Sequence, residues 1–370
     1  MTKERNCSLD ALRILCMFMI VISHSLVHSG VYDRILLFSG NYFLTYTLHS
    51  FIYIMVNCFV LISGYFLCEG TFKTEKLLKL WIDVFFWSFL LTLLFILTGS
   101  EPFQIKTMIK AMLPITQSKY WFSTSYILMY LMVPVLNAAI HHMNKKQHFL
   151  ALSTFFCVFI VLQNVIFWRN FTTINGNSPF FFAFLYMTAA FIRLYPPQIK
   201  RSGKYFILYM ICSAITALSR FIMTAITVPF FGEPLGETIL LGYSSITVVL
   251  ASVFIFLAFL CMEIKPLWLR KLIVFLSPLT FGIYLIHDQE FVRKFIWQHL
   301  FHPQKFTDSY CLIPYLLLIS ICIFIVCVFL ELIRTKLFGF LGIHKICRSA
   351  AEKIDCAVQK FTACITEKCE

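Results

Sequence analysis

The sequence predicts an all-α fold, a polytopic bundle of membrane-crossing helices, and three observations carry that expectation. Of 370 residues, 59% are hydrophobic and only 13% are charged, about half the charged share of a soluble domain. Mean hydropathy is +0.81. Apolar runs of about 20 residues, the length that crosses ~30 Å of hydrocarbon, recur along the whole chain. Residues 1–340 therefore read as one membrane domain and 341–370 as a polar tail. With no separate soluble catalytic domain, any chemistry belongs inside the bundle or at its two faces.

About ten spans are expected, at 9–28, 43–68, 77–98, 121–140, 149–168, 180–195, 205–228, 238–262, 272–287 and 311–334. The first is retained as a span: Asp10 and Arg13 interrupt what would be a signal peptide's apolar stretch, and no small-residue cleavage site follows His24. The sixth and ninth are short, which suits tilted or centrally packed helices. Pro and Gly mark the breaks, as at 175–179 and 229–236.

Basic residues orient the bundle. With the N-terminus in the cytoplasm, the inner side carries 22 Lys and Arg and the outer side 8, Arg220 within a span being the remaining one of 31. That asymmetry predicts N-in and C-in. It also accounts for the formal net charge of +13 as an inner-leaflet signature, so no nucleic-acid partner is expected. In the tail, Ile354, Val358, Phe361 and Ile365 recur at helical spacing. They predict a cytoplasmic amphipathic helix, lying on the inner surface or against the bundle.

Several patterns point away from other chemistries. Seven of the fourteen cysteines lie in apolar spans, where they act as small apolar residues. The tail cysteines have no zinc spacing, and no metal site is expected. His28 and Asp33 match a His-x4-Asp spacing by chance, in an outer loop without a supporting motif. There is no Gly-x-Ser-x-Gly and no phosphate-binding glycine loop.

Ionisable residues inside a span are costly and usually functional, and the first span has Asp10, Arg13 and His24. At ~100° per residue, the eleven-residue step from Arg13 to His24 is close to three turns, so both face one way, with a rise of ~16 Å. A cation at the inner rim can hold an anionic ligand group. A histidine deeper on the same stripe can act as general base on a hydroxyl. Acetyl-CoA suits that geometry, its nucleotide at the inner face and its pantetheine arm threading inward. The same spacing also fits an arginine reaching for the interface and a histidine bonded between helices.

The opening Ser8-Leu9-Asp10-Ala11-Leu12-Arg13, with the apolar run to His24, resembles the start of the acyltransferase-3 family of integral-membrane acyltransferases. Three later segments resemble it in the same order: residues 56–67 ending in Ser-Gly-Tyr-Phe-Leu, Tyr120-Trp121-Phe122, and Phe281-Gly282-Ile283-Tyr284-Leu285-Ile286-His287. Together they cover about residues 8–290. The resemblance implies about ten spans, acyl-CoA used from the cytoplasm, and an acceptor often at the outer face. It implies His24 as catalytic base and Arg13 as a functional cation. Asp10, one turn away by helical spacing, is placed to pair with Arg13 and orient it. The family's Arg-x-x-Arg element, associated with CoA phosphates, is replaced here by Lys76 and Lys79. They keep the charge and the i, i+3 spacing but lack arginine's bidentate fork.

His287, at the end of the ninth span, Arg220, deep in the seventh, and Trp121 are the candidates for acceptor binding. Arg220 needs a partner, either Glu233 or Glu237 in the next loop or an anionic group on the acceptor. The expected function is a membrane-bound O-acyltransferase of a multi-pass inner or plasma membrane protein, bacterial in kind. It would move acetyl from cytoplasmic acetyl-CoA to a glycan or lipid-linked sugar. The alternative is a transporter or flippase of a lipid-linked sugar, although transporters often carry internal repeats and none is visible.

Overall fold

The computed structural model describes residues 6–162, 176–199, 201–236 and 238–369, the last nine as backbone only. Every regular element among them is helical. Helix α1 (Cys7–Val27) starts where Asn6 accepts a hydrogen bond from Leu9 N at 3.0 Å, which satisfies an otherwise orphaned first-turn donor. Next come α2 (Gly40–Ile52), α3 (Met55–Leu67), α4 (Thr74–Leu97), α5 (Ile105–Met112), α6 (Trp121–His142) and α7 (Lys145–Phe156). The remainder are α8 (Pro179–Leu194), α9 (Ser202–Phe231), α10 (Ile246–Leu260), α11 (Leu267–Leu276), α12 (Thr280–His287), α13 (Glu290–Phe295), α14 (Leu312–Phe340) and α15 (Ile343–Cys369).

Among the described residues, seven helical segments are long and apolar enough to cross a membrane, with α2–α3 and α11–α12 each forming one. Two more apolar helices, α8 and α10, are shorter. The expected run 43–68 is broken at Tyr53–Ile54 into α2 and α3. The expected run 238–262 contributes helix only from Ile246, after turns at Gly242 and Ser244. Residues 163–168 of the expected run 149–168 lie outside the described residues.

Helix α1 packs against α2, α3, α10, α11, α12 and α14, so its faces are covered on most sides. That explains why a helix with one strongly polar stripe is tolerated: the stripe faces protein. Helices α3 and α8 approach closely at Gly64, where an added Cβ would sit 2.8 Å from Tyr186 Cα. Small residues of this kind let membrane helices meet backbone to backbone, which explains the glycine of the Ser63-Gly64-Tyr65 segment.

The tail forms α15, which follows Gly342 in the left-handed region (φ +64°) and packs on α4 and α14. Thr74 Oγ1 donates to Asp355 Oδ1 at 2.5 Å across that contact. Cys347 and Ala351 are buried there, whereas Ile354 and Val358 are exposed. The apolar stripe read from the tail therefore does not face the bundle at those two positions.

Candidate active site

One seam holds the charged and titratable groups of α1. Asp10, in the first turn and buried, accepts from Arg13 Nη1 at 3.1 Å and from Ser277 Oγ at 2.7 Å. Arg13 also reaches Ser277 Oγ at 3.2 Å. The carboxylate and the serine thus hold the guanidinium together at Nη1. Beyond it lies a cavity of about 270 Å³ lined by Arg13 from α1, Ser63 from α3, Lys76 and Leu80 from α4, and Tyr126 and Tyr130 from α6. Two cations from different helices therefore share one concave site. Lys79 does not line it; its ammonium pairs with Glu75 at 2.6 Å.

Further along the same helices is a second, smaller cavity of about 30 Å³. Helix α1 supplies Met17, Ile20 and His24, α3 supplies Phe59, α6 supplies Trp121 and Phe122, and α12 supplies Tyr284. Arg13, Met17, Ile20 and His24 are spaced 4, 3 and 4 residues apart, the run of one helical face. Both cavities thus share walls from α1, α3 and α6. Between them, Tyr126 donates to Ser63 Oγ at 3.1 Å, and Phe122 stacks on Tyr126 with centroids 5.9 Å apart.

At the far end of α1, His24 Nδ1 lies 3.0 Å from His287 Nε2. His287 Nδ1 lies 2.6 Å from the carbonyl oxygen of Ile283. A carbonyl only accepts, so Nδ1 of a neutral His287 carries its proton and Nε2 is the acceptor. His24 Nδ1 therefore donates, and the bonding pattern assigns the lone pair of His24 to Nε2. Asp288 Oδ1 lies 3.6 Å from His24 Nδ1, too far for a hydrogen bond but close enough for its charge to favour the same tautomer. It is itself held by Arg293 Nη1 at 3.1 Å. The His28 ring meets His24 edge-on at 5.1 Å.

Just past the span ends, burial and the nearby Arg293 pull His28 below its ordinary pKa. Burial pushes the Asp288 carboxyl up, against the opposing pull of His287 and Arg293. His24, His28 and Asp288 present ligand atoms within 4.8 Å of one another. Tetrahedral zinc with bonds of about 2.0 Å needs donors roughly 3.3 Å apart, and Arg293 already holds the carboxylate. As arranged, two imidazoles and a carboxylate meet at the end of α1.

A model of an acyltransferase domain, acyltransferase 3, matches residues 6–332. The chain belongs to the acyltransferase-3 family. The comparisons with curated proteins and with solved structures found no match. Membership together with the apolar helices makes this protein a multi-pass membrane acyltransferase.

Against that identity, the residues singled out from the sequence fall into three groups. Arg13, Asp10 and Lys76 meet around the larger cavity, while His24, Trp121 and His287 meet at or beside the smaller one, where Trp121 stacks on Tyr243 at 5.7 Å. Arg220 belongs to a separate buried cluster. Its guanidinium lies 3.5 Å over the Tyr46 ring, and Tyr46 stacks on Tyr32 at 4.6 Å. Tyr32 reaches His49 Nδ1 at 2.8 Å, and His49 Nε2 reaches Ser23 Oγ at 3.2 Å, one residue before His24. Of the two glutamates considered as its partner, Glu233 is exposed and Glu237 lies outside the described residues. Lys79 stands apart, bound to Glu75.

Sequence reasoning missed Asp288 and Arg293, and set His28 aside as a chance match. It also missed the buried network of Glu331, Arg334, Asp83 and Trp87 that ties α14 to α4. There Glu331 accepts from Trp87 Nε1 and Arg334 Nε at 2.9 Å each, and Arg334 reaches Asp83 Oδ1 at 2.5 Å. For Glu331 and Asp83 the available signal was an acidic residue within a long apolar run.

Proposed function

We propose that this acyltransferase moves acetyl from cytoplasmic acetyl-CoA to a hydroxyl of a cell-surface or lipid-linked polysaccharide, with His24 as general base. The observation that carries the reading is the shared seam: two cations around the larger cavity, and an oriented imidazole at the smaller one on the same face of α1. In this reading, both termini lie on the cytoplasmic side of an inner or plasma membrane. Arg13, fixed by Asp10, and Lys76 hold the anionic part of the donor. The pantetheine arm runs along Met17 and Ile20.

The reaction balances within the site. The acceptor hydroxyl oxygen attacks the thioester carbonyl carbon while its proton passes to His24 Nε2. The carbonyl electrons move onto oxygen. When the double bond re-forms, the carbon–sulfur bond breaks, and the thiolate takes the proton from His24 to leave as CoA thiol. His287 and Asp288 act as positioning residues: His287 Nε2 accepts from His24 Nδ1, and Asp288, 3.6 Å from that nitrogen, offsets the imidazolium charge. A short acyl group is favoured because the His24 cavity is small, about 30 Å³. Trp121 and Arg220 remain the proposed acceptor contacts, as an aromatic face and a cation.

The test uses membranes bearing the full chain, supplied with acetyl-labelled acetyl-CoA, with label followed into the glycan fraction. His24→Ala is expected to lower transfer by 10²-fold or more. Transfer persisting at the wild-type rate refutes the general-base assignment. Loss of an O-acetyl ester from surface glycans of cells lacking the protein names the acceptor; unchanged glycans refute it.

A further inference from the structure

The mechanism above leaves the developing negative charge on the carbonyl oxygen without a donor. The structure assigns that role to the Tyr284 hydroxyl: we infer that it donates to the thioester carbonyl oxygen and holds it as an oxyanion. The inference rests on the proposed reading of the site and adds a catalytic residue to it.

Three observations converge on Tyr284. It lines the small cavity together with His24. It is three residues before His287 on α12, so the two side chains share a face, with ring centroids 6.4 Å apart. Its hydroxyl is buried, the residue being 4% exposed; the Phe122 backbone N–H lies on its oxygen side, and the hydroxyl proton has no acceptor among the described atoms.

A buried hydroxyl left unmatched costs roughly 1–3 kcal/mol, and such groups are few in folded proteins. The other tyrosines of this region are satisfied: Tyr120 donates to Leu285 O at 3.0 Å and Tyr126 to Ser63 Oγ at 3.1 Å. Tyr284 stands out as a donor kept ready beside the imidazole. The wall around it is mostly apolar, with Phe59, Phe122 and Phe281 beside Trp121 and Tyr243. In such surroundings one aimed donor acts far more strongly than in water.

In the step, the acceptor oxygen bonds to the carbonyl carbon and its proton goes to His24 Nε2. The displaced electron pair rests on the carbonyl oxygen, which accepts from Tyr284 O–H. Tyr284 keeps its proton throughout. When the carbon–sulfur bond breaks, the pair returns to the carbonyl and the bond to Tyr284 weakens.

The test compares wild type, Tyr284→Phe and Tyr120→Phe in full-chain membranes, reading label from acetyl-CoA into the glycan fraction and melting of the purified proteins. Tyr284→Phe is expected to lower kcat by about 10²–10³-fold, with KM for acetyl-CoA within about threefold of wild type and melting unchanged or raised, because the hydroxyl proton has no resting acceptor to lose. Tyr120→Phe, which does lose a bond, is expected to lower melting. Wild-type kcat in Tyr284→Phe overturns the role, as does a kcat loss accompanied by lowered melting, which marks a structural tyrosine. If wild type itself transfers no label, the reading of the whole site fails and the oxyanion role falls with it; if wild type transfers, only the Tyr284 assignment is at stake.

Discussion

Replacing Gly282 with alanine drives a methyl carbon into the Glu331 carboxylate, inside the van der Waals shell of both Cδ and Oε2. Normal carbon contact begins near 3.5 Å, so the two groups must separate by roughly 1.5 Å. A flexible glutamate tip would ordinarily swing aside. This one is bonded to Trp87 Nε1 at 2.9 Å, to Arg334 Nε at 2.9 Å and to Arg334 Nη2 at 2.5 Å, and its side chain is 3% exposed. Retreat therefore gives up charged hydrogen bonds, each about 1.5–3 kcal/mol. The other route is for α12 to move, at an overpacking cost of about 1–3 kcal/mol. Either way the variant is expected to lose about 2–4 kcal/mol of stability. The second route also shifts Tyr284 and His287, which sit two and five residues further along α12. A misplacement of about 1 Å at reacting groups costs about 10²-fold in rate. Melting of the purified protein and acetyl transfer in membranes measure the two losses separately. A Gly282→Ala protein that melts and transfers like wild type refutes the claim that this glycine exists to admit Glu331.

Two further outcomes follow from the same site. Phe59→Ala removes a ring from the wall of the small cavity; since one methylene is worth about 10–200-fold in discrimination, the ratio of butyryl to acetyl transfer from the matching thioesters should rise at least about tenfold, and an unchanged ratio would mean that this cavity does not measure the acyl chain. His28 has a pKa below its ordinary 6.5 in the fold, through burial and then Arg293, with Asp288 opposing. The unfolded chain therefore binds more protons in the window just below 6.5, so stability rises as pH climbs through that window and falls as pH drops through it. His28→Gln should flatten this part of the melting-versus-pH curve, and a curve of unchanged slope would contradict it.

The stripe on α1 was legible because helical periodicity alone sets it: Arg13 and His24 are eleven residues apart on a single uninterrupted helix, so no tertiary information is needed to align them. His287 was legible only through the family-like segment that carries it. Asp288 and Arg293 follow that segment immediately, but their relevance depends on how α12 docks against α1, which no local pattern encodes. Tyr284 is similar: the residue is plain in the sequence, while the lack of an acceptor for its hydroxyl proton emerges only after packing. The single run 43–68 hid the break at Tyr53–Ile54 because both sides of it are apolar. The late start of α10 had a signal in Gly242, Ser244 and Ser245, turn-forming residues placed inside the expected span. Lys79 shows the limit of charge counting. Its partner Glu75 is four residues away on the same helix and gives the bland i, i+4 pair, leaving Lys76 alone to face the cavity with Arg13.

The seam also bears on how an acyl group crosses a membrane without a transporter's rocking motion. Arg13 and His24 are separated by ~16 Å along α1, about half of a ~30 Å hydrocarbon layer. In the proposed reading, a donor anchored by its phosphates at Arg13 and Lys76 brings its own thioester halfway across, and the acceptor hydroxyl needs only to enter the other half. Neither substrate then has to pass through the protein, so the bundle need not open alternately to each side. What it must do is keep the middle dry, since water reaching the thioester beside His24 would be acetylated in place of the sugar. Phe59, Phe122 and the stacked Tyr126 fill that middle, between a cation-lined cavity and one with room for about a single small group. On this view the aromatic layer is a barrier to water first and a lining for the donor second.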